Sequence, residues 1–291
     1  MLEIGTVQSS AGYRIDKLPN GAHSVHSLAH HETFHPVVGP VAEAEVLYVR
    51  QLGLAERVRQ HTGEFVLWDV GLGAAANALT ALRATRDYPC TIHLLSFDHT
   101  LEPLEFALQN IDALGYLRGY EPHLEGLLRD GHCTFQEGLQ TVKWDMHVAD
   151  FPTLVAQPVA RTFASPHVIM FDAFSPATNP AMWTLPLFSD LFRLLAPDRP
   201  CSLPTYSRST LLRVTLLLAG FYVGVGHSTG EKEETTLAAN TPDLIAEPLD
   251  RRWLQRAHRS TSAEPLVEPV YRQAPLTPAS WEMLQQHPQF R

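Results

Sequence analysis

The chain has 291 residues, 45% of them hydrophobic, a formal net charge of −9 and three cysteines. That length and apolar content suit one large α/β domain with appendages and exclude global disorder, and no apolar run reaches the roughly 18 residues of a membrane-spanning helix. The acidic balance argues against general affinity for nucleic-acid phosphates, while leaving room for one local basic face.

Met1 to Gly5 lack a charged stretch followed by an apolar one, so no signal peptide is read there and a cytoplasmic location is expected. Residues 1–60 read as a front section of strands and one helix. Strand-like pieces near Tyr13–Ile15 and Ser24–Ser27 flank the turn signal Pro19-Asn20-Gly21. Val41 to Leu52 then places apolar residues at helical spacing. Between them, His31-Glu32-Thr33-Phe34-His35 matches the H-E-x-x-H zinc pattern, which needs both histidines on one helical face. Pro36 pushes His35 out of the helical region, so a polar loop beside a pocket is expected and no metal. Cys90, Cys133 and Cys201 are too far apart for a local metal knuckle and read as buried thiols.

Residues 61–240 alternate strand and helix, the pattern of a parallel sheet with helices on both faces. The expected strands are Phe65–Val70, Ile92–Asp98, Trp144–Asp150, His167–Asp172 and Cys201–Tyr206. The expected helices are 74–83, 101–114 with Thr100 as N-cap, 182–195, and 209–219 stopped by Gly220. Residues 115–140 read as a helix and connections outside the sheet. Phe221–Val225 and Glu234–Ala239 read as a closing antiparallel hairpin joined across Ser228-Thr229-Gly230. Residues 241–291 shift to proline, polar and basic residues. A short helix over Asp250–Arg256 and then an extended, surface-wrapping tail are expected.

The first core strand ends Trp68-Asp69-Val70-Gly71-Leu72-Gly73 and runs into an alanine-rich helix. Glycines there let a ligand approach the backbone, and the helix start offers unpaired N–H groups. The third glycine of the dinucleotide fingerprint is missing. Asp69 suits a ligand with a positive amino group, and Asp98 stands where a ribose-binding carboxylate belongs. Both point to S-adenosylmethionine (SAM). Four acids, Asp69, Asp98, Asp150 and Asp172, close successive strands, and a cationic ligand among them would relieve their repulsion. After Asp172, the loop containing Phe174 and Trp183 offers an acid to hold an amine and rings to line a pocket or stack on a flat substrate.

Asp172-Ala173-Phe174-Ser175-Pro176, continued by Asn179-Pro180 and Met182-Trp183, resembles a segment of the MnmC-type tRNA methyltransferases. The likeness extends through Glu32-Thr33-Phe34-His35, Asp69 to Gly73 with Asn77, Phe97-Asp98, Ala149-Asp150, Leu194 to Pro197 and Ala219-Gly220-Phe221, roughly residues 25–240. The resemblance implies a class I, Rossmann-like SAM-dependent methyltransferase fold. It implies methylation of the 5-aminomethyl group of a wobble (2-thio)uridine in tRNA. Asp172 matches the catalytic acid; Asp69, Gly71 and Gly73 match the methionine-side loop, Asp98 the ribose contact, and Asp150 the adenine-side acid. His35 and Glu43 fall in the matching front section, with Phe174 and Trp183 on the substrate side. Two departures stand out: Ala75 replaces a usual glycine, and Gly226 to Glu234 lacks the family's basic segment. No flavin oxidase half accompanies residues 1–291, so a separate oxidase is expected to supply the aminomethyl precursor. Arg208, Arg213, Arg251, Arg252 and Arg256 are candidate phosphate contacts. Methylation of a small-molecule or protein amine, and non-catalytic SAM binding, are the alternatives.

Overall fold

The computed structural model describes residues 9–10, 12–229 and 233–291. The connection across Gly230 expected for the closing hairpin therefore lies outside the described residues. A four-stranded antiparallel sheet, β1 (Ser9–Ser10), β2 (Tyr13–Lys17), β3 (His23–Ser27) and β4 (Glu32–Thr33), forms the front section. It is followed by α1 (Pro40–Ala44), a π-helical stretch over Glu45–Arg50, and α2 (Leu54–Gln60). The continuous helix expected over 41–52 is thus widened by one π segment, in which Gln51 N bonds back to Val46 O.

The core strands are β5 (Glu64–Val70), β6 (Thr91–Asp98), β7 (His132–Glu137), β8 (Gln140–Val148), β9 (Val168–Phe171), β10 (Ser202–Thr205), β11 (Tyr222–Gly226) and β12 (Thr235–Ala239). They form one sheet in the order β11-β12-β10-β9-β5-β6-β8-β7. β8, β6, β5, β9 and β10 run parallel; β7 at one edge and the β12–β11 hairpin at the other are antiparallel. The chain first builds outward from β5 through β6 and then returns to β9 on its other side. The switch point of the sheet therefore lies at the carboxyl ends of β5 and β9, where open α/β sheets bind ligands.

Two apolar clusters sandwich the sheet. On one face lie α1, α2, α3 (Ala76–Thr85), α4 (Glu102–Gln109), α5 (Ile111–Leu114) and α6 (Glu121–Asp130). On the other lie α7 (Phe151–Ala156), α8 (Leu185–Leu194), α9 (Thr210–Ala219), α10 (Arg251–His258) and α11 (Pro278–Gln285). The single helix expected over 101–114 breaks at Asn110, whose side chain bonds Phe106 O at 2.8 Å. The N-cap of α4 is Leu101, although Thr100 Oγ1 still accepts from Glu102 N at 3.3 Å. Cys201 is buried, but Cys90 and Cys133 are only partly so.

Two regions depart from expectation. Residues 132–137 are not outside the sheet but form its edge strand β7. Only Phe135 of that strand is buried, which is why its sequence carries so little strand signal. Residues 241–291 are not an extended run. Pro278 and Pro288 each sit in the first turn of a helix, where a missing N–H costs nothing. Trp253, Leu254, Leu266, Leu284 and Phe290 are buried in the α8–α9 cluster. Gln289 closes the edge strand β11, its amide bonding Val223 N (2.8 Å), Val223 O (2.7 Å) and Leu249 O (2.9 Å). Among the described residues, no helix is long and apolar enough to cross a membrane.

Candidate active site

A cavity of about 510 Å³ opens at the carboxyl ends of the parallel strands and is roofed by the front section. Its floor is the turn after β5. Gly71 has φ +90, and a Cβ there would lie 2.4 Å from the Asp172 carbonyl oxygen. Gly73 has φ +51, with Phe34 of the front section 3.1 Å from a built Cβ. Only glycine lets the loop pass this close to the β9 turn above it. Gly71 N donates to Phe97 O at 2.9 Å, pinning the loop to β6. Ala75, one of the two departures noted from the resembled pattern, takes the same left-handed conformation (φ +62), at a cost of roughly 1–2 kcal/mol. α3 starts only after it, at Ala76, rather than at 74.

Asp172 follows β9 directly and lines the cavity. Asn77 Nδ2 donates to its Oδ2 at 2.7 Å, and His35 Nε2 stands 3.4 Å from the same oxygen. On its far side, His35 Nδ1 lies 3.9 Å from Glu43 Oε2. His35 itself adopts φ +49. The two peptide carbonyls flanking Asp172 are both clamped by phenols. Tyr48 donates to Phe171 O at 3.4 Å and Tyr206 to Ala173 O at 2.9 Å. Burial, reinforced by the carboxylate of Asp172, raises the pKa of both tyrosines, so they stay protonated donors.

The loop beyond is tied to the roof. Glu32 accepts from Ser175 Oγ (2.6 Å), Ser175 N (3.3 Å) and Thr178 Oγ1. Phe174 lines the cavity, stacked on His30 with centroids 4.3 Å apart and edge-on to Phe34 at 5.5 Å. Trp183 does not reach the cavity. It is fully buried, and its indole donates to Phe174 O at 2.8 Å. The indole N–H needs a partner once buried, and the loop carbonyl provides it. Trp183 is a support beneath Phe174 and no wall of the pocket.

The remaining acids divide by position. Asp98 lines the cavity while accepting from Gly73 N (2.9 Å) and His99 N (2.7 Å), so it also fixes the glycine loop. Asp150 is not a strand end: β8 stops at Val148, and Asp150 caps α7, accepting from Thr153 N at 3.0 Å. It still faces the cavity. Asp69 lies beneath the floor, absent from the lining and wholly buried. Its Oδ2 accepts from Ser96 Oγ at 3.0 Å, which in turn accepts from Trp144 Nε1 at 2.9 Å. Its Oδ1 is buried with no hydrogen bond among the described residues. Burial pushes its carboxyl up to about 7; the Ser96 bond opposes this, and Asp172 and Asp98 add to it.

Five carboxylates, Glu32, Glu43, Asp98, Asp150 and Asp172, line the cavity, and among the described lining residues there is no Lys or Arg. Such a wall favours a cation. The zinc pattern does not form a site. Glu32-Thr33 is strand β4, His31 and His35 both have positive φ, and no group able to hold a metal occurs among the described residues. Arg213, expected on the surface, is buried. Its guanidinium is committed to Thr236 Oγ1 (3.0 Å), Glu234 Oε1 (3.0 Å) and Thr235 O (2.8 Å). Four residues with a clear place here, Asn77, Tyr206, Glu32 and His30, were not singled out as site residues by sequence. Asn77 had a usable signal, a lone amide in the first turn after the glycine loop.

Residues 129–241 match a family described as S-adenosyl-L-methionine-dependent methyltransferase. The chain is 28% identical over 243 residues, 81% of its length, to a protein of Methylibium petroleiphilum. It is 31% identical over 219 residues, 70% of its length, to one of Ectopseudomonas mendocina. Both are named tRNA 5-methylaminomethyl-2-thiouridine biosynthesis bifunctional protein MnmC, and the chain spans only about a third of each, 36% and 31%. Among solved structures, MNMC2 from Aquifex aeolicus superposes with a TM-score of 0.64 at 20% identity, covering 89% of this chain and 80% of that one. The fold is that of the SAM-dependent methyltransferases, as the resemblance implied, and SAM is the cofactor. The residues fit it: a cation-favouring wall, a floor without room for a Cβ, and a buried carboxylate oxygen lacking a donor.

Proposed function

We propose that this SAM-dependent methyltransferase methylates the exocyclic amine of 5-aminomethyl(-2-thio)uridine at the wobble position of tRNA. The observation that carries the amine assignment is the Asp172 carboxylate at the switch point of the sheet, in a wall of five acids without a lysine or arginine. The names of the relatives support the RNA substrate.

Asp69, Gly71, Gly73, Asp98 and Asp150 hold the cofactor, with Asp69 acting through the floor by its charge. Bound there, SAM supplies an electrophilic methyl group on a sulfonium. The amine arrives mostly as an ammonium ion and must expose its lone pair. Asp172, fixed by Asn77 and by the clamped carbonyls on either side, orients the ammonium and takes up its proton. His35, 3.4 Å from Asp172 Oδ2, and Glu43 beyond it offer that proton a way outward. Phe174, backed by His30, is the ring on which an unstacked pyrimidine rests. A separate oxidase supplying the aminomethyl precursor, and a cytoplasmic location, belong to this proposal.

A second reading, methylation of a small amine, is favoured by the net charge of −9 and the acidic cavity. The two separate in one experiment. The protein is given labelled SAM and either tRNA lacking only the terminal methyl or an excess of polyamine. Label in the wobble uridine, undiminished by the polyamine, supports the tRNA substrate. Label only in the polyamine refutes it.

A further inference from the structure

An acidic protein that acts on RNA needs a cationic surface somewhere, and the cavity does not provide it. α10 does. It carries Arg251, Arg252 and Arg256, Arg259 follows at its C-cap, and with Gln255 these four line one open groove. All four arginines are exposed. Many exposed arginines elsewhere pair with acids, as Arg50 does with Glu45, Arg118 with Asp112 and Arg129 with Asp130, and those that do not, Arg161, Arg272 and Arg291, stand apart from one another in the sequence. Among the described residues, no ion pair engages the four of the groove; Arg251 Nε donates to Phe290 O and Arg259 Nε to Gln255 O.

Helix stability does not explain the cluster. Arg251 and Arg252 occupy the first turn of α10, where the helix dipole disfavours positive charge. The buried face, Trp253, Leu254 and Ala257, already anchors the helix, and the arginines take no part in it.

Tyr206 lines the cavity, and Arg208 follows two residues later, on the surface. The Arg213 head lies against Thr235 and Thr236, across from Thr205 at the carboxyl end of β10. Both Arg208 and Arg256 are close enough to Arg213 for their charges to depress its pKa, after the larger effect of burial. Arg208, two residues past the cavity wall and paired with Glu233, and Arg213, paired with Glu234, thus link the cavity to Arg256, where the arginines without acid partners begin along α10.

We propose that the α10 groove holds the phosphate backbone of the RNA whose aminomethylated base enters the cavity. The inference rests on the tRNA reading above. The protein segregates its charge: carboxylates inside for the amine, arginines outside for phosphates, which position the RNA without reading its sequence.

The test uses the full chain and a fluorescent tRNA bearing the aminomethyl uridine. Binding is measured across a salt series for the wild type, for Arg252→Ala/Arg256→Ala/Arg259→Ala, and for the same three changed to Lys. Arg251 is spared because of its bond to Phe290. Transfer to the free nucleoside is measured alongside. The triple alanine variant is expected to lose about tenfold or more in affinity near physiological salt. Its log–log salt slope should flatten by about 2–3, with the lysine variant close to wild type. Nucleoside methylation should be unchanged. Equal affinity and slope for all three proteins, with tRNA methylated, would overturn the groove while sparing the tRNA reading. Groove-dependent binding without any transfer would keep the groove and overturn the substrate. No binding of tRNA by the wild type would remove both. Loss of nucleoside methylation in the alanine variant would mean a damaged cavity and would also overturn the proposal.

Discussion

Gly71→Ala tests how tightly the cofactor turn and the acid-bearing turn are coupled. A Cβ at position 71 would meet the Asp172 carbonyl oxygen at 2.4 Å and its carbon at 3.1 Å, so one strand end must retreat by about 1 Å to reach ordinary contact. Alanine at φ +90 adds roughly 1–2 kcal/mol of backbone strain, and the forced displacement about 1–3 kcal/mol more. The sum, about 2–5 kcal/mol, should lower Tm by roughly 3–8 °C in a chain of 291 residues. A displacement of about 1 Å at Asp172 should also cost on the order of 100-fold in transfer rate, beyond any loss of stability. Gly119→Ala is the control. It has the same φ of +90 but nothing within 4 Å of its Cβ, so it should show the backbone cost alone and normal activity. Thermal unfolding and single-turnover transfer, run on both variants, read the two effects separately. A Gly71→Ala enzyme no worse than Gly119→Ala in both assays would refute the coupling.

Two further outcomes follow from the same geometry. Asp69, held near 7 by burial, is largely protonated in the folded protein at pH 5 and ionised by pH 8. Its folded pKa is raised, so the stability it contributes is present below about pH 4 and is lost as pH rises through 7. That difference amounts to a few kcal/mol. A cationic ligand favours the carboxylate, so SAM affinity should rise between pH 6 and 8 and then level off. Isothermal titration across that range, repeated on Asp69→Asn with a flat profile expected, checks the affinity, and urea unfolding of both proteins from pH 4 to 8 checks the stability. Trp183→Phe removes the donor to the half-buried Phe174 O. It should cost about 1–3 kcal/mol in urea unfolding and raise KM for the RNA more than it changes SAM affinity. An altered SAM affinity with unchanged KM would instead place the indole on the cofactor side.

The central strands and the glycine turn were legible because apolar runs such as Phe65–Val70 and Ile92–Phe97 are buried almost throughout and end at an acid or glycine. β7 was not, because an edge strand with one buried side chain in six offers no periodic signal. The C-terminal region misled for a different reason. Its prolines mark helix starts, and a proline density alone does not distinguish that from extended chain. Within the site, sequence located Asp172, Asp98 and the two glycines at the cavity. It placed Trp183 and Asp69 there as well, although one supports the loop from below and the other lies under the floor. Which face a side chain takes at the end of a strand or in a loop depends on packing from elements far away in sequence. Glu32 and Tyr206 illustrate this: each meets the Asp172 loop from another part of the chain, 143 and 33 residues distant.

The most direct test of the account is Asp172→Asn, with SAM binding and methyl transfer measured on the same preparation. The substitution keeps the shape of the side chain and removes only its charge and its capacity to accept the amine proton. SAM affinity within about threefold of wild type, with transfer to the aminomethylated tRNA down by at least 100-fold, is the predicted result. Transfer at the wild-type rate would contradict the account at its centre, since the amine would then be activated without the carboxylate around which the cavity is built.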